Sequence, residues 1–213
     1  MKRKTKFWVG GCLLAAFVLW TVLVRLVDVR TIGPNGSAVG FAALNGFVHE
    51  KIGVHLALYT LTDWLSIIPL VCIPGFAILG AAQWVRHKSI RNVDRSLLVL
   101  GGFYGIVLAV FLLFEKVVIN YRPVLIEGVL EASYPSSTTM LVLCVMPTAM
   151  MQLRERMKPG KARLCVMVML SAFTVFMVIG RLISGVHWCS DIIGGALLSG
   201  GLVALYSAVC ERE

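Results

Sequence analysis

Six stretches of this chain contain no Asp, Glu, Lys or Arg: Phe7 to Val24, Trp64 to Val85, Ser96 to Phe114, Thr138 to Leu153, Leu164 to Gly180 and Ile192 to Cys210. Each approaches the roughly 20 apolar residues that a helix needs to cross a bilayer. In hydrocarbon only a structure that satisfies its own backbone is viable, and for runs of this length that is a helix. The pattern predicts an all-α polytopic membrane protein: one membrane domain over residues 1–213 with six transmembrane helices, near 7–27, 64–85, 96–118, 138–153, 164–183 and 188–210. The fourth and fifth stretches are short and recruit flanking residues. A composition 58% hydrophobic, with mean hydropathy +0.85, excludes an ordinary water-soluble enzyme.

The formal charge of +9 invites a nucleic-acid reading until the basic residues are sorted by position. Lys2, Arg3, Lys4 and Lys6; Arg86, Lys88, Arg91 and Arg95; Arg154, Arg156, Lys158, Lys161 and Arg163; and Arg212 fall in every second connection. The positive-inside rule then puts both termini and the two short basic loops in the cytoplasm. The charge is explained by topology, and no nucleic-acid motif accompanies it. The first span follows a basic start with no small-x-small cleavage site before Asp28, which predicts a retained anchor rather than a signal peptide.

Residues 28–63 lie outside the cytoplasm on this topology. They mix Gly33, Gly36, Gly40, Gly46 and Gly53 with Phe41, Phe47 and Leu56, which suggests a loop plus an interfacial helix lying against the headgroups. The six cysteines, Cys12, Cys72, Cys144, Cys165, Cys189 and Cys210, form no C-x-x-C pair and read as small buried hydrophobes rather than metal or disulfide partners.

With orientation set, the outer charges become informative. Arg25 and Arg30 read as snorkelling to lipid phosphates. Arg122 and Arg181 sit in larger constellations. The first is Glu115-Lys116-Val117-Val118-Ile119-Asn120-Tyr121-Arg122-Pro123, at the outer end of the third span, where Pro123 stops a helix. The second is Tyr134-Pro135-Ser136-Ser137-Thr138-Thr139, opening the fourth span. Its hydroxyls and free first-turn amides suit an anion, and equally suit plain N-capping. The third runs from Gly180-Arg181 to His187 and Asp191. On a helix, residues four apart share a face, so the Asp191 carboxylate can hold one imidazole nitrogen and leave the other free as nucleophile or base. Arg181 adds a planar fork suited to phosphate oxygens. The same triplet also reads as a buried polar network between two helices.

All three groups fall at outer span ends. Here the sequence, from about Ser96 to Cys210, resembles the type 2 phosphatidic acid phosphatase family of integral membrane lipid phosphatases, which carries K-x6-R-P, P-S-G-H and S-R-x5-H-x3-D motifs on the extracytoplasmic side of six helices. Arg181, His187 and Asp191 match the third motif in type and spacing, with Gly180 in place of its Ser. Arg122-Pro123 matches the first, but Lys116 is one residue too close and Glu115 stands at the expected position. One residue turns a helical side chain by about 100°. Pro135-Ser136 matches the second, followed by Ser137 for Gly and Thr138 for His.

The resemblance implies a cofactor-free, metal-free phosphatase. His187 attacks phosphorus and forms a phosphohistidine, and Asp191 orients and stabilises the imidazolium. Arg122, Arg181, Ser136, Ser137, Thr138 and Lys116 would line the phosphate site, and the partners would be a lipid phosphate and the surrounding membrane lipids. In the family the second-motif His is implied to protonate the leaving oxygen, help typically worth about 10²–10⁴-fold. A Thr hydroxyl cannot supply it. Two readings follow: a phosphatase whose leaving group needs little protonation, such as a polyprenyl diphosphate, or a non-catalytic lipid-phosphate binder. His49 or His55 is a further source of a proton. A transporter would place ionisable groups along a path through the bilayer, whereas here they gather at one face. Compact size points to a bacterial cytoplasmic membrane.

Overall fold

Hydrocarbon leaves a backbone no partner but itself, and the apolar stretches all form helices in the computed structural model, which describes residues 2–211. In chain order these are α1 (Arg3–Leu26), α2 (Ala42–Ile52), α3 (Leu56–Leu65), α4 (Ile67–His87), α5 (Arg95–Lys116), α6 (Ser137–Arg156), α7 (Lys161–Ile183) and α8 (Cys189–Cys210). Among the described residues, extended segments pair only through isolated bridges. The fold is all-α and belongs in a membrane. Arg212, one of the basic residues on which the expected orientation rests, lies outside the described residues.

Among the described residues, five helical stretches are long and apolar enough to cross a bilayer: α1, α3 with α4 taken together as Leu56–His87, α5, α7 and α8. The fourth expected span, 138–153, falls on α6, which is not among them. Thr138, Thr139, Thr148 and Gln152 are buried along α6, because α4, α5, α7 and α8 surround it. A helix walled in by other helices needs no apolar face towards lipid.

Lipid is as apolar as a leucine side chain, so close packing rather than water exclusion holds such helices together. Gly10 and Gly201 show the device: a Cβ on either would come within 3.2 Å of the other's carbonyl oxygen. That lets α1 lie antiparallel along α8, tied at one end by Lys6 to Glu211 at 3.0 Å. At the other end the Trp20 indole donates to the Ser190 carbonyl at 3.1 Å. Trp8, Val18, Val71, Ile78 and Leu108 stay exposed on the outside of the bundle, as lipid-facing residues should.

The two ends of the bundle differ in kind. At one, Gln83 and Arg156 both reach the Asp94 carboxylate, at 2.9 and 3.1 Å, so the α4–α5 and α6–α7 connections that carry the basic clusters lie side by side. At the other, residues 28–63 hold more structure than a loop and one interfacial helix: α2 packs on α8, and α3 packs on the end of α7 and runs into α4. Of the cysteines only Cys144 is buried, and Cys12 and Cys165 are exposed, so the expectation of small buried residues holds for one position and fails for those two. They sit on outward helix faces, where lipid replaces protein as the apolar surrounding.

Candidate active site

Between α5 and α6 the chain makes a small hairpin. Arg122 N–H donates to the Glu131 carbonyl at 3.0 Å and Ser133 N–H to the Asn120 carbonyl at 2.9 Å, with Ile126 and Val129 bonded to each other across the tip. Glu127 and Gly128 both have positive φ, 49° and 80°, as the tight two-residue turn of a twisted hairpin requires. The hairpin brings Asn120, Arg122, Glu131 and Ser133 to one place. The second anchor is the turn between α7 and α8. Gly185 has φ 68°, and a Cβ there would lie 2.0 Å from the Gly53 carbonyl oxygen. Glycine at this point lets the chain press against the α2–α3 connection and aim His187 inward.

His187 is 4% exposed and meets both anchors. Arg122 Nη1 lies 3.3 Å from His187 Nε2. Guanidinium can only donate, so Nε2 carries the lone pair and the ring proton sits on Nδ1, which faces Asp191 Oδ2 at 3.8 Å. That is close enough for attraction and too long for a hydrogen bond. Burial, helped by the positive charges of Arg122 and Arg181 and opposed by Asp191, lowers the His187 pKa to about 4, so the imidazole is neutral near pH 7.

Asp191 is fully buried and almost wholly occupied. Its Oδ2 accepts from Trp188 N–H at 3.0 Å, and its Oδ1 from Asn120 Nδ2 at 3.2 Å. A carboxylate in the first turn of α8 also meets the positive end of the helix dipole. Asn45 joins from α2, donating to Ser190 Oγ at 2.9 Å and accepting from Ser190 N–H at 3.1 Å.

The structure puts the remaining expected site residues in different places. Ser137 lines the same cavity of about 490 Å³ as His187 and Arg122, together with Glu115, Glu131 and Tyr134. Ser136 is fully buried and spent as a cap: its Oγ accepts from Thr139 N–H at 3.4 Å, and its own N–H donates to the Asp191 carbonyl at 3.1 Å, fastening the start of α6 to the start of α8. Thr138 lines a second, mainly apolar cavity of about 360 Å³, beside Asp63, Leu70, Ile73 and Leu141. Phe111, Ser137 and Met140 border both spaces. Lys116 is exposed at the last residue of α5, which stays helical there, so the one-residue offset keeps it out and Glu115 lines the cavity instead.

Arg181 is 2% exposed and held by α3. It donates to the Tyr59 carbonyl at 3.2 Å, to Thr62 Oγ1 at 3.1 Å and to Asp63 Oδ1 at 3.1 Å, and lies 4.6 Å from the centre of the Tyr59 ring. Arg122 stands 5.8 Å from the same ring and pairs with Glu131 at 2.9 Å. His49 packs on Trp188 and His55 bonds the Ile52 carbonyl at 2.9 Å, and neither lines the two cavities. Among the described residues no group of three or more His, Cys, Asp or Glu side chains is placed to hold a metal ion.

Asn120, Asn45, Glu131 and Asp63 were not singled out from sequence. Asn120 had the best signal, as a polar residue between Ile119 and Tyr121 inside the first constellation. Asn45 and Asp63 lie in a segment with no motif, and only folding brings them to α7 and α8.

The model of the PAP2 superfamily matches residues 72–212. Among solved structures, the crystal structure of the first transmembrane PAP2 type phosphatidylglycerolphosphate phosphatase from Bacillus subtilis superposes with a TM-score of 0.59 at 19% identity, covering 95% of this chain and 94% of that one. At that identity the likeness is one of fold. No curated relative matches the sequence.

Proposed function

The chain belongs to the PAP2 superfamily, and from that premise we propose that it is a membrane lipid phosphatase that hydrolyses a lipid phosphate or a polyprenyl diphosphate through a phosphohistidine. The observation that carries this reading is the His187 imidazole: buried, neutral, its Nε2 lone pair 3.3 Å from an Arg122 nitrogen in a polar cavity, with Asp191 behind it. Arg122 draws a phosphate to that lone pair, and Nε2 attacks as the bond to the leaving oxygen breaks. The positive charge that develops on the ring is met by Asp191. Water then cleaves the nitrogen–phosphorus bond and restores His187. The Ser137 amide at the start of α6 and the two arginines supply the positive surroundings that phosphoryl transfer requires. The apolar cavity beside Thr138 suits the lipid tail. By the positive-inside rule the site faces away from the cytoplasm, and the host membrane on this reading is a bacterial cytoplasmic membrane.

The test is phosphate release by the purified protein in detergent from a lipid monophosphate and from a polyprenyl diphosphate. Loss of a covalent nucleophile costs about 10³-fold or more, so His187→Ala should lie at background, and unchanged release from that variant rejects the mechanism. Thr138 favours a second reading, a non-catalytic lipid-phosphate binder. Turnover that appears only after Thr138→His selects it.

A further inference from the structure

The alcohol of a phosphate monoester leaves as a strongly basic alkoxide, so the proposed chemistry needs a proton donor on the face of phosphorus opposite the attacking nitrogen. Thr138 is no such acid, and His49 and His55 do not reach the two cavities. Of the phenols that line these cavities, Tyr134 pairs with Thr21 at 2.7 Å and burial raises its pKa, the Tyr104 hydroxyl turns to Thr148 at 3.1 Å, and Tyr121 borders the His187 cavity rather than the apolar one. Three carboxyl groups remain among the residues that line these cavities: Glu115, Glu131 and Asp63. Glu131 is paired with Arg122 at 2.9 Å, and of the three only Asp63 borders the apolar cavity that suits the lipid tail.

We infer that Asp63 is the general acid of this site, donating a proton to the leaving oxygen of a lipid monophosphate. Contacts place it at the far end of the clamp: His187 meets Arg122, Arg122 and Arg181 both approach the Tyr59 ring, and Arg181 holds Asp63. A phosphate spanning the two arginines has the nucleophile at one end and the Asp63 carboxyl at the other. The tail points the same way. Asp63 borders the apolar cavity, with Thr138, Leu70, Ile73 and Leu141, and Ser137 borders both cavities, so a tail lodged in the apolar space leaves the phosphate past Ser137 and has Asp63 in the wall beside it. At the α3–α4 junction the Asp63 side chain is 56% exposed, which leaves it room to swing from Arg181 to that oxygen.

The proton arrives with the substrate. A phosphate monoester has its second ionisation near pH 6. As Arg181 turns from Asp63 to the phosphate, the monoanion hands its proton to the Asp63 carboxylate while the bond to the leaving oxygen begins to break. Nε2 then bonds to phosphorus, the phosphorus–oxygen bond breaks towards oxygen, and that oxygen takes the Asp63 proton to give the alcohol. The Asp63 carboxylate next accepts a proton from the water that cleaves the phosphohistidine and passes it to the departing inorganic phosphate, which returns Asp63 to Arg181 as the carboxylate.

This inference rests on the phosphatase reading, and substrates with different leaving groups separate the two. Purified wild type, Asp63→Asn, Asp63→Glu and Glu131→Gln are assayed on dodecyl phosphate, which needs protonation, and on p-nitrophenyl phosphate, which needs little. Asp63→Asn should lower dodecyl phosphate turnover by about 10²–10⁴-fold and p-nitrophenyl phosphate turnover by less than about tenfold, since general acid help is lost for the poor leaving group alone. Asp63→Glu, which keeps the acid, should recover part of the difference. Equal losses on both substrates mark a structural role and overturn the assignment, as does no loss on dodecyl phosphate, or selectivity that appears in Glu131→Gln instead. Wild type active on a polyprenyl diphosphate but on neither of these substrates overturns the Asp63 assignment alone, and wild type inactive on all three overturns the phosphatase reading itself.

Discussion

A neutral histidine beside two arginines is a costly arrangement, and its cost is measurable. In the unfolded chain His187 titrates near 6.5, whereas burial holds the native residue down at about 4. Below pH 6.5 the unfolded state takes up a proton that the native state refuses, so stability is full above that pH and is lost as pH falls towards 4. His187→Gln should flatten this slope, and unfolding temperature against pH in detergent reads it. Asn120 makes a second prediction at this scale. It gives Asp191 one of its few donors, at 3.2 Å, in a fully buried spot. Asn120→Leu should cost about 1–3 kcal/mol of stability, the penalty for an under-satisfied buried acceptor, and should lower phosphate release as the imidazole loses its fixed support. Unchanged unfolding and activity would contradict this.

At the scale of elements, two connections build the site: the 120–133 hairpin and the α7–α8 turn. Gly128 and Gly185 both have positive φ, but open space surrounds the first while the Gly53 carbonyl blocks the second. Gly128→Ala should therefore cost about 1 kcal/mol, the left-handed penalty alone. Gly185→Ala adds a clash with backbone, and should lower both thermal stability and activity by clearly more than Gly128→Ala does. Equal effects would mean that the turn does not fix His187. The α7–α8 element was the most readable from sequence, since Arg181, His187 and Asp191 lie within eleven residues. The hairpin was not. No alternation marks it as extended structure, and Glu127-Gly128 is a short turn signal inside a mixed segment. The role of α3 was equally hidden, because Asp63 lies 118 residues from Arg181 along the chain.

For the whole molecule, the separation of a basic end from a site end carries the topology. In a variant whose six cysteines are replaced, a single cysteine at Glu127 should react with a membrane-impermeant maleimide on intact cells, and one at Lys158 only after lysis. The reverse pattern inverts the orientation. Fold class and the order of helices were legible because charge-free length is a property of the local chain. The character of α6 was not: Thr138, Thr148 and Gln152 weaken its apolar signal, and only the surrounding helices explain why they are buried.

By itself, then, the sequence determined an all-helical membrane chain, the end at which the polar motifs gather, and the spacing that pairs His187 with Asp191 through the α8 start. Those follow from hydrophobic length, charge placement and helical geometry within a few turns. Tertiary structure decided how the motif residues are used: Ser136 as a cap, Lys116 facing away, Arg181 bound to α3, and Asp63 beside Thr138. Each depends on a neighbour far along the chain, and the energy that selects among side-chain partners in a packed bundle comes from such distant contacts rather than from local sequence.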